Sequence, residues 1–148
     1  MKIKQYAVAR CLPFGDSALL IELGDVISLE VNRKVIALSE AIRSADIQGI
    51  EELVPTYRSL LVRYNALKTS YEQLVFRIKD IEKTIEEPSV EEAGREIIIP
   101  VVYGGECGPD LTDVARFHGL TEEQVAKIHF DREYRVYMLG FVAGFPYL

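Results

Sequence analysis

Two glycine-rich loops and a pair of histidines are the residues whose types and spacing bear on chemistry. The first loop is Gly104-Gly105-Glu106-Cys107-Gly108, reached through Tyr103. Successive glycine N–H groups in such a loop can turn toward a phosphate or a carboxylate. It lacks the Lys-Ser/Thr pair of a P-loop and the spacing of a dinucleotide fingerprint, so a plain turn stands beside the anion-site reading. The second loop, Gly140-Phe141-Val142-Ala143-Gly144-Phe145-Pro146-Tyr147, pairs its two glycines with three aromatics. It reads either as a hairpin bend with packed rings or as a pocket wall where backbone can come near a ligand. His129 lies at the end of a predicted helix and precedes an apolar run, where it is either a polar group facing a cleft or a structural side chain. His118 precedes Gly119 at a predicted helix end, where partial positive charge suits the helix dipole.

The remaining candidates have simpler explanations. No cysteine or carboxylate cluster gives either histidine the spacing of a metal ligand, and no metal site is expected. Gly15-Asp16-Ser17 has the look of a serine nucleophile turn. No histidine–carboxylate set surrounds it, and an ordinary turn accounts for all three residues. Arg58, between Tyr57 and Ser59, binds an anion or is solvated. Cys11 and Cys107 lie far apart and form no Cys-x-x-Cys pair, which points away from a disulfide framework or zinc.

Composition narrows the class further. In 148 residues, 49% are hydrophobic and 27% charged, as in a folded globular protein. The 17 Lys and Arg against 23 Asp and Glu give a net charge of −6, which disfavours a phosphate backbone as partner. No apolar run reaches membrane-spanning length, and Lys2, Lys4, Gln5 and Arg10 interrupt any signal-peptide core. The expectations are therefore a cytoplasmic protein with neither a nucleic-acid nor a membrane partner.

The elements that must hold these residues follow from periodicity. Runs at 6–12 and 18–23, separated by Pro13-Phe14-Gly15-Asp16, predict a strand pair. Ser28 can cap a helix whose Val31, Val35, Leu38 and Ile42 share one face. A second pair is predicted at 50–54 and 59–64. A helix follows, opening on the capping box Ser70-Tyr71-Glu72-Gln73, with Leu74, Ile78, Ile81 and Ile85 on one face. This order predicts an α+β domain over 1–87, a two-layer sandwich with two helices on one face of a four-stranded sheet. The acidic stretch from Glu86 to Gly94 reads as a linker to a second unit over 95–148. That unit is expected to begin with a strand-like run at 96–103, with Pro100 at an edge or bulge. Helices at 111–118 and 121–129, joined at Gly119-Leu120, have helix-turn-helix spacing. The second opens Thr121-Glu122-Glu123-Gln124 and would present carboxylates to DNA. The 134–139 run reads as a strand. Because the chain stops at Leu148 amid strand and turn signals, a larger parent or assembly is expected.

Taken in order, several of these segments resemble one family. They are Gly15-Asp16-Ser17-Ala18-Leu19-Leu20-Ile21-Glu22, Gly49-Ile50 through Val54-Pro55-Thr56-Tyr57 to Ser59-Leu60-Leu61-Val62, and the 100–111 loop. Val114-Ala115 with Gly119-Leu120, His129 and the 134–148 run complete the set. The chain resembles the family of the 5-oxoprolinase B-type subunit, also known as the first allophanate hydrolase subunit or the Kip-type kinase inhibitor. The resemblance is of the carboxyltransferase domain, subdomain C and D, type. It implies that 95–148 is the first part of a cyclophilin-like β-barrel domain, in a family that continues well past Leu148. It also implies ATP-dependent opening of the 5-oxoproline lactam to glutamate with partner subunits A and C, with ATP and Mg held in the assembled complex. The amide oxygen would be activated by phosphoryl transfer and then attacked by water, with donors around the developing charge. On that reading the pocket lies at Tyr103, Gly104, Gly105, Gly140, Phe141, Gly144, Phe145 and Tyr147, with His129 as the catalytic group. The same family implies an alternative, a non-catalytic inhibitor binding a sensor histidine kinase. Ala143 departs from the family pattern, which has proline in its Gly-Phe-x-Pro-Gly-Phe run.

Overall fold

Alternating side chains place one face of a sheet against two helices. The computed structural model describes residues 5–85 and 95–148; the expected linker, 86–94, lies outside the described residues. Strands β1 (Gln5–Pro13), β2 (Ala18–Gly24), β3 (Ile50–Pro55) and β4 (Ser59–Tyr64) form a sheet of order β1-β2-β4-β3 with every neighbour antiparallel. In β2, Leu19, Ile21 and Leu23 are buried, and in β4 Leu60, Val62 and Tyr64 are buried. The register sets Leu19 opposite Val62 and Ile21 opposite Leu60, so both strands present the same face inward.

Helices α1 (Leu29–Ser44) and α2 (Tyr71–Glu82) cover that face. The Val31 N–H donates to the Ser28 hydroxyl at 3.2 Å, capping α1. The predicted stripe Val31, Val35, Leu38 and Ile42 is buried, each side chain contributing roughly 1.5–3 kcal/mol. At α2 the capping box is complete: the Gln73 N–H donates to the Ser70 hydroxyl, and the Ser70 N–H donates to Gln73 Oε1. Leu74 and Ile78 are buried, while Ile81 and Ile85 pack at the margin of the core. This is the expected α+β sandwich.

The chain groups into two compact units, Met1–Val90 with Val136–Leu148, and Glu91–Arg135. The expected second domain, 95–148, is thereby divided, because its last residues pack against the sandwich. There β5 (Met138–Leu139) and β6 (Pro146–Tyr147) form a short antiparallel hairpin. The strand expected over 134–139 is paired only at its end.

The other unit holds α3 (Leu111–His118) and α4 (Glu122–Phe130). Gly119, at φ 65°, closes α3, and a second capping box joins Thr121 to Gln124. The strand expected at 96–103 is not formed. Ile97, Ile98, Ile99 and Val102 are each about two-thirds exposed or more, at 66%, 87%, 73% and 71%. An apolar run becomes a strand only when a neighbour accepts and donates its backbone bonds, and Pro100 removes one donor. Within 95–148 the strands observed among the described residues are β5 and β6.

Candidate functional site

Local turn geometry decides where each candidate residue stands. Gly104, at φ 77°, and Gly105, at φ 57°, turn the chain into a single 3₁₀ turn, Gly105–Cys107. The Cys107 N–H donates to the Gly104 carbonyl at 3.2 Å, as does that of Gly108. A Cβ at Gly108 would lie 2.8 Å from the Gly104 nitrogen, so this glycine is demanded by the loop's approach to itself. The loop precedes α3 but follows irregular chain, not the strand that was expected.

Tyr103 and His129 come together in the same unit. The Tyr103 hydroxyl and His129 Nδ1 form a hydrogen bond of 2.5 Å, with the imidazole tautomer deciding which group donates. The two rings meet edge to face at 5.7 Å, and Tyr134 lies 5.4 Å from His129 on another side. His129, placed on the last turn of α4, is solvent-exposed and sits within an aromatic cluster that Phe130 extends through Tyr103. A phenol holding one ring nitrogen fixes the orientation of an imidazole, as a positioned acid or base requires.

Gly140, Phe141, Gly144, Phe145 and Tyr147 come together in the other unit, on the β5–β6 hairpin. The Gly140 N–H donates to the Phe145 carbonyl at 3.1 Å and that of Phe145 to the Val142 carbonyl at 3.1 Å. Phe141 and Gly144 take positive φ, 57° and 79°, making a tight bend. Phe145 contacts Phe141 at 6.0 Å and Tyr147 at 5.4 Å, both edge to face. A Cβ at Gly140 would stand 3.4 Å from the Tyr147 ring, so glycine leaves room for that ring. Leu139 through Gly144 line an open hollow of about 310 Å³ over the bend. Ala143 lies exposed within it.

Sequence reasoning did not foresee Asn32 and the second role of Tyr57. Asn32, 7% exposed, sits in the first turn of α1, and its Nδ2 donates to the carbonyls of Thr56, Tyr57 and Tyr137 at 3.1, 3.4 and 3.3 Å. The Tyr57 ring packs on Tyr137 at 5.5 Å and Tyr147 at 6.2 Å. The one available signal was an Asn on the otherwise apolar side of an amphipathic helix.

The other candidates have local partners. The Arg58 guanidinium donates to the Gly24 carbonyl at 2.8 Å and pairs with Glu22 at 3.3 Å, so it ties strands together. Gly15-Asp16-Ser17 forms the β1–β2 turn, where the Ser17 carbonyl accepts from the Tyr64 N–H. His118 ends α3 against Phe117. Both cysteines are free; burial pushes the half-buried Cys11 thiol upward from its ordinary range, opposed by Lys79 and aided by Glu82. Among the described residues no cluster could hold a metal, and no helix is long and apolar enough to cross a membrane.

ATP is a poor fit to the glycine loop. Its Cys107 and Gly108 N–H groups are used by its own carbonyls, its one charged side chain is the acidic Glu106, and it brings no Lys, Arg, Ser or Thr.

Comparison with known proteins places this architecture. Residues 9–148 match the family model for the carboxyltransferase domain, subdomain C and D. The chain is 40% identical over 144 residues to the 5-oxoprolinase B-type subunit of Bacillus subtilis (strain 168), covering 90% of this chain and 60% of that protein. It spans about three-fifths of the length of that relative. The crystal structure of TTHA0988 is similar at TM-score 0.70 and 37% identity, over 87% of this chain and 24% of that one. The Kluyveromyces lactis urea amidolyase shares the fold at TM-score 0.61 and 16% identity, over 89% of this chain and 9% of that one. The sheet with its two helices, the hairpin set on it and the match over 9–148 agree, and this chain belongs to the carboxyltransferase domain, subdomain C and D, family that includes the 5-oxoprolinase B-type subunits.

Proposed function

We propose that this chain is part of the B-type component of a cytoplasmic, ATP-dependent 5-oxoprolinase, which opens the lactam of 5-oxoproline to glutamate with partner subunits A and C. The observation that carries the reading is 40% identity, along 90% of this chain, to the 5-oxoprolinase B-type subunit of Bacillus subtilis. His129, oriented by Tyr103, is the proposed catalytic group. Tyr103, Gly104 and Gly105 in the one unit, and Gly140, Phe141, Gly144, Phe145 and Tyr147 in the other, are each proposed as substrate-contacting residues of their own unit. The glycine loop does not suit a triphosphate, so ATP and Mg are assigned to other parts of the assembly. Lactam opening develops negative charge on the amide oxygen, and hydrogen-bond donors fixed in advance are the usual means of stabilising it.

The test is reconstitution. The full-length protein containing this sequence, mixed with A- and C-type partners, 5-oxoproline and Mg-ATP, is expected to release glutamate, and omission of any component is expected to abolish release. No glutamate from the complete, correctly assembled mixture would overturn the proposal.

A further inference from the structure

A buried asparagine that reaches across more than a hundred residues of chain calls for a reason. Asn32 is one of the two polar side chains buried among the described residues, and it sits at the start of α1 beside the hydrophobic core. Burying an amide costs free energy unless its hydrogens are satisfied, and a leucine there would fill the space without that cost. The amide instead bridges two otherwise separate pieces of backbone: the carbonyls of Thr56 and Tyr57 in the β3–β4 connection, and the Tyr137 carbonyl at the foot of the hairpin. The same connection presents the Tyr57 ring to Tyr137 and Tyr147, and the Tyr57 hydroxyl donates to the Leu148 carbonyl at 3.0 Å. Both ends of the hairpin are therefore gripped, at Tyr137 and at Tyr147–Leu148. The bend between them is left exposed over 141–145.

A hairpin of two-residue strands is not stable alone, so its geometry must come from what it rests on. We infer that Asn32 and Tyr57 are positioning residues: together they fix the base of the β5–β6 hairpin and so hold the Gly140–Gly144 bend in the conformation that receives substrate. The first half of this inference, the latch, stands on contacts within one compact unit. The second half rests on the substrate role proposed above for the bend. The N-terminal sandwich is then the mount on which a binding loop is set, and the glycines that give the bend its shape depend on that mount for their orientation.

Two readouts test it. In the 148-residue chain, Asn32→Leu and Tyr57→Leu are each expected to speed amide exchange at Tyr137, Gly140 and Phe145 by roughly tenfold, the factor that follows loss of one net hydrogen bond or ring contact, with α2 and β4 little changed. Tyr57→Leu guards against a folding failure of the core variant, since Tyr57 lies outside the helix–sheet core. Unchanged exchange in the hairpin of a folded Tyr57→Leu protein would overturn the latch. In the reconstituted enzyme, both variants are expected to raise KM for 5-oxoproline several-fold while kcat changes little, and Tyr57→Phe, which keeps the ring, is expected to restore most of it. Faster hairpin exchange with KM unchanged would overturn the positioning role. Failure of the wild-type enzyme to act on 5-oxoproline would instead refute the lactamase reading, and the exchange result would still decide the latch.

Discussion

His129 has a phenol as partner, and that pairing sets what the residue can do. With Nδ1 engaged by Tyr103 at 2.5 Å, a proton carried to or from substrate in the proposed site would travel by Nε2. His129→Ala in the reconstituted enzyme is expected to lower kcat by about 10²–10⁴, the range general acid–base groups supply, while Tyr103→Phe lowers it less. Steady-state glutamate release measures both, and a loss below about threefold for His129→Ala would remove the imidazole from the chemistry. The two thiols give an independent check. Cys107 is exposed and should react with iodoacetamide well before half-buried Cys11. The Cys11 thiol is held above its ordinary value of 9.0, first by burial, so the folded state favours its neutral form. Its contribution to stability is complete below that ordinary value and is lost as pH rises through the raised folded value. Chemical denaturation of Cys11→Ala should accordingly show a shallower alkaline decline than the parent chain, whatever its stability at neutral pH.

Secondary structure is legible wherever local signals carry it. Ser28 and Ser70 announce the helix starts because a cap needs only the next three residues, and the stripe Val31, Val35, Leu38 and Ile42 announces the buried face. Ser70→Ala should remove the side-chain half of its capping box and cost about 1 kcal/mol, lowering Tm by roughly 4–8 °C in a thermal melt. Leu38→Ala, in the middle of the buried face, should cost about 2–5 kcal/mol by leaving a cavity. The 96–103 run has the pattern of a strand without being one, because strand formation is settled by a partner that hydrophobic pattern alone cannot supply. The site is only half legible for the same reason. Tyr103, Gly104, Gly105 and His129 can be singled out by type, but the Tyr103–His129 bond spans 26 residues and the Asn32–Tyr137 bond spans 105. No spacing rule connects positions so far apart in sequence.

At the scale of the whole chain, burial is distributed unevenly, and stability must follow it. The unit built on the sheet encloses Leu19, Ile21, Leu60, Val62, Val35, Leu38, Leu74 and Ile78, all at or below 1% exposure. In Glu91–Arg135, Ala115 is the buried hydrophobic among the described residues, while Ile98 and Phe117 are 87% and 85% exposed. Apolar burial is what offsets conformational entropy, so α3 and α4 rest mainly on their caps and helix propensity. Hydrogen exchange of the 148-residue chain should therefore show slow amides in α1, α2, β2 and β4 and fast ones through α3 and α4. The hairpin at 138–147 should be more protected than α4 despite its shorter elements, because it belongs to the unit that has the core. An environment-sensitive dye should bind the native chain, drawn by the exposed run at Ile97, Ile98 and Ile99. Replacing those three isoleucines with threonine should reduce dye binding and leave the Tm of the sheet unit unchanged. Equal protection across both units would show that the 91–135 segment gains a stabilising contribution beyond its own buried surface.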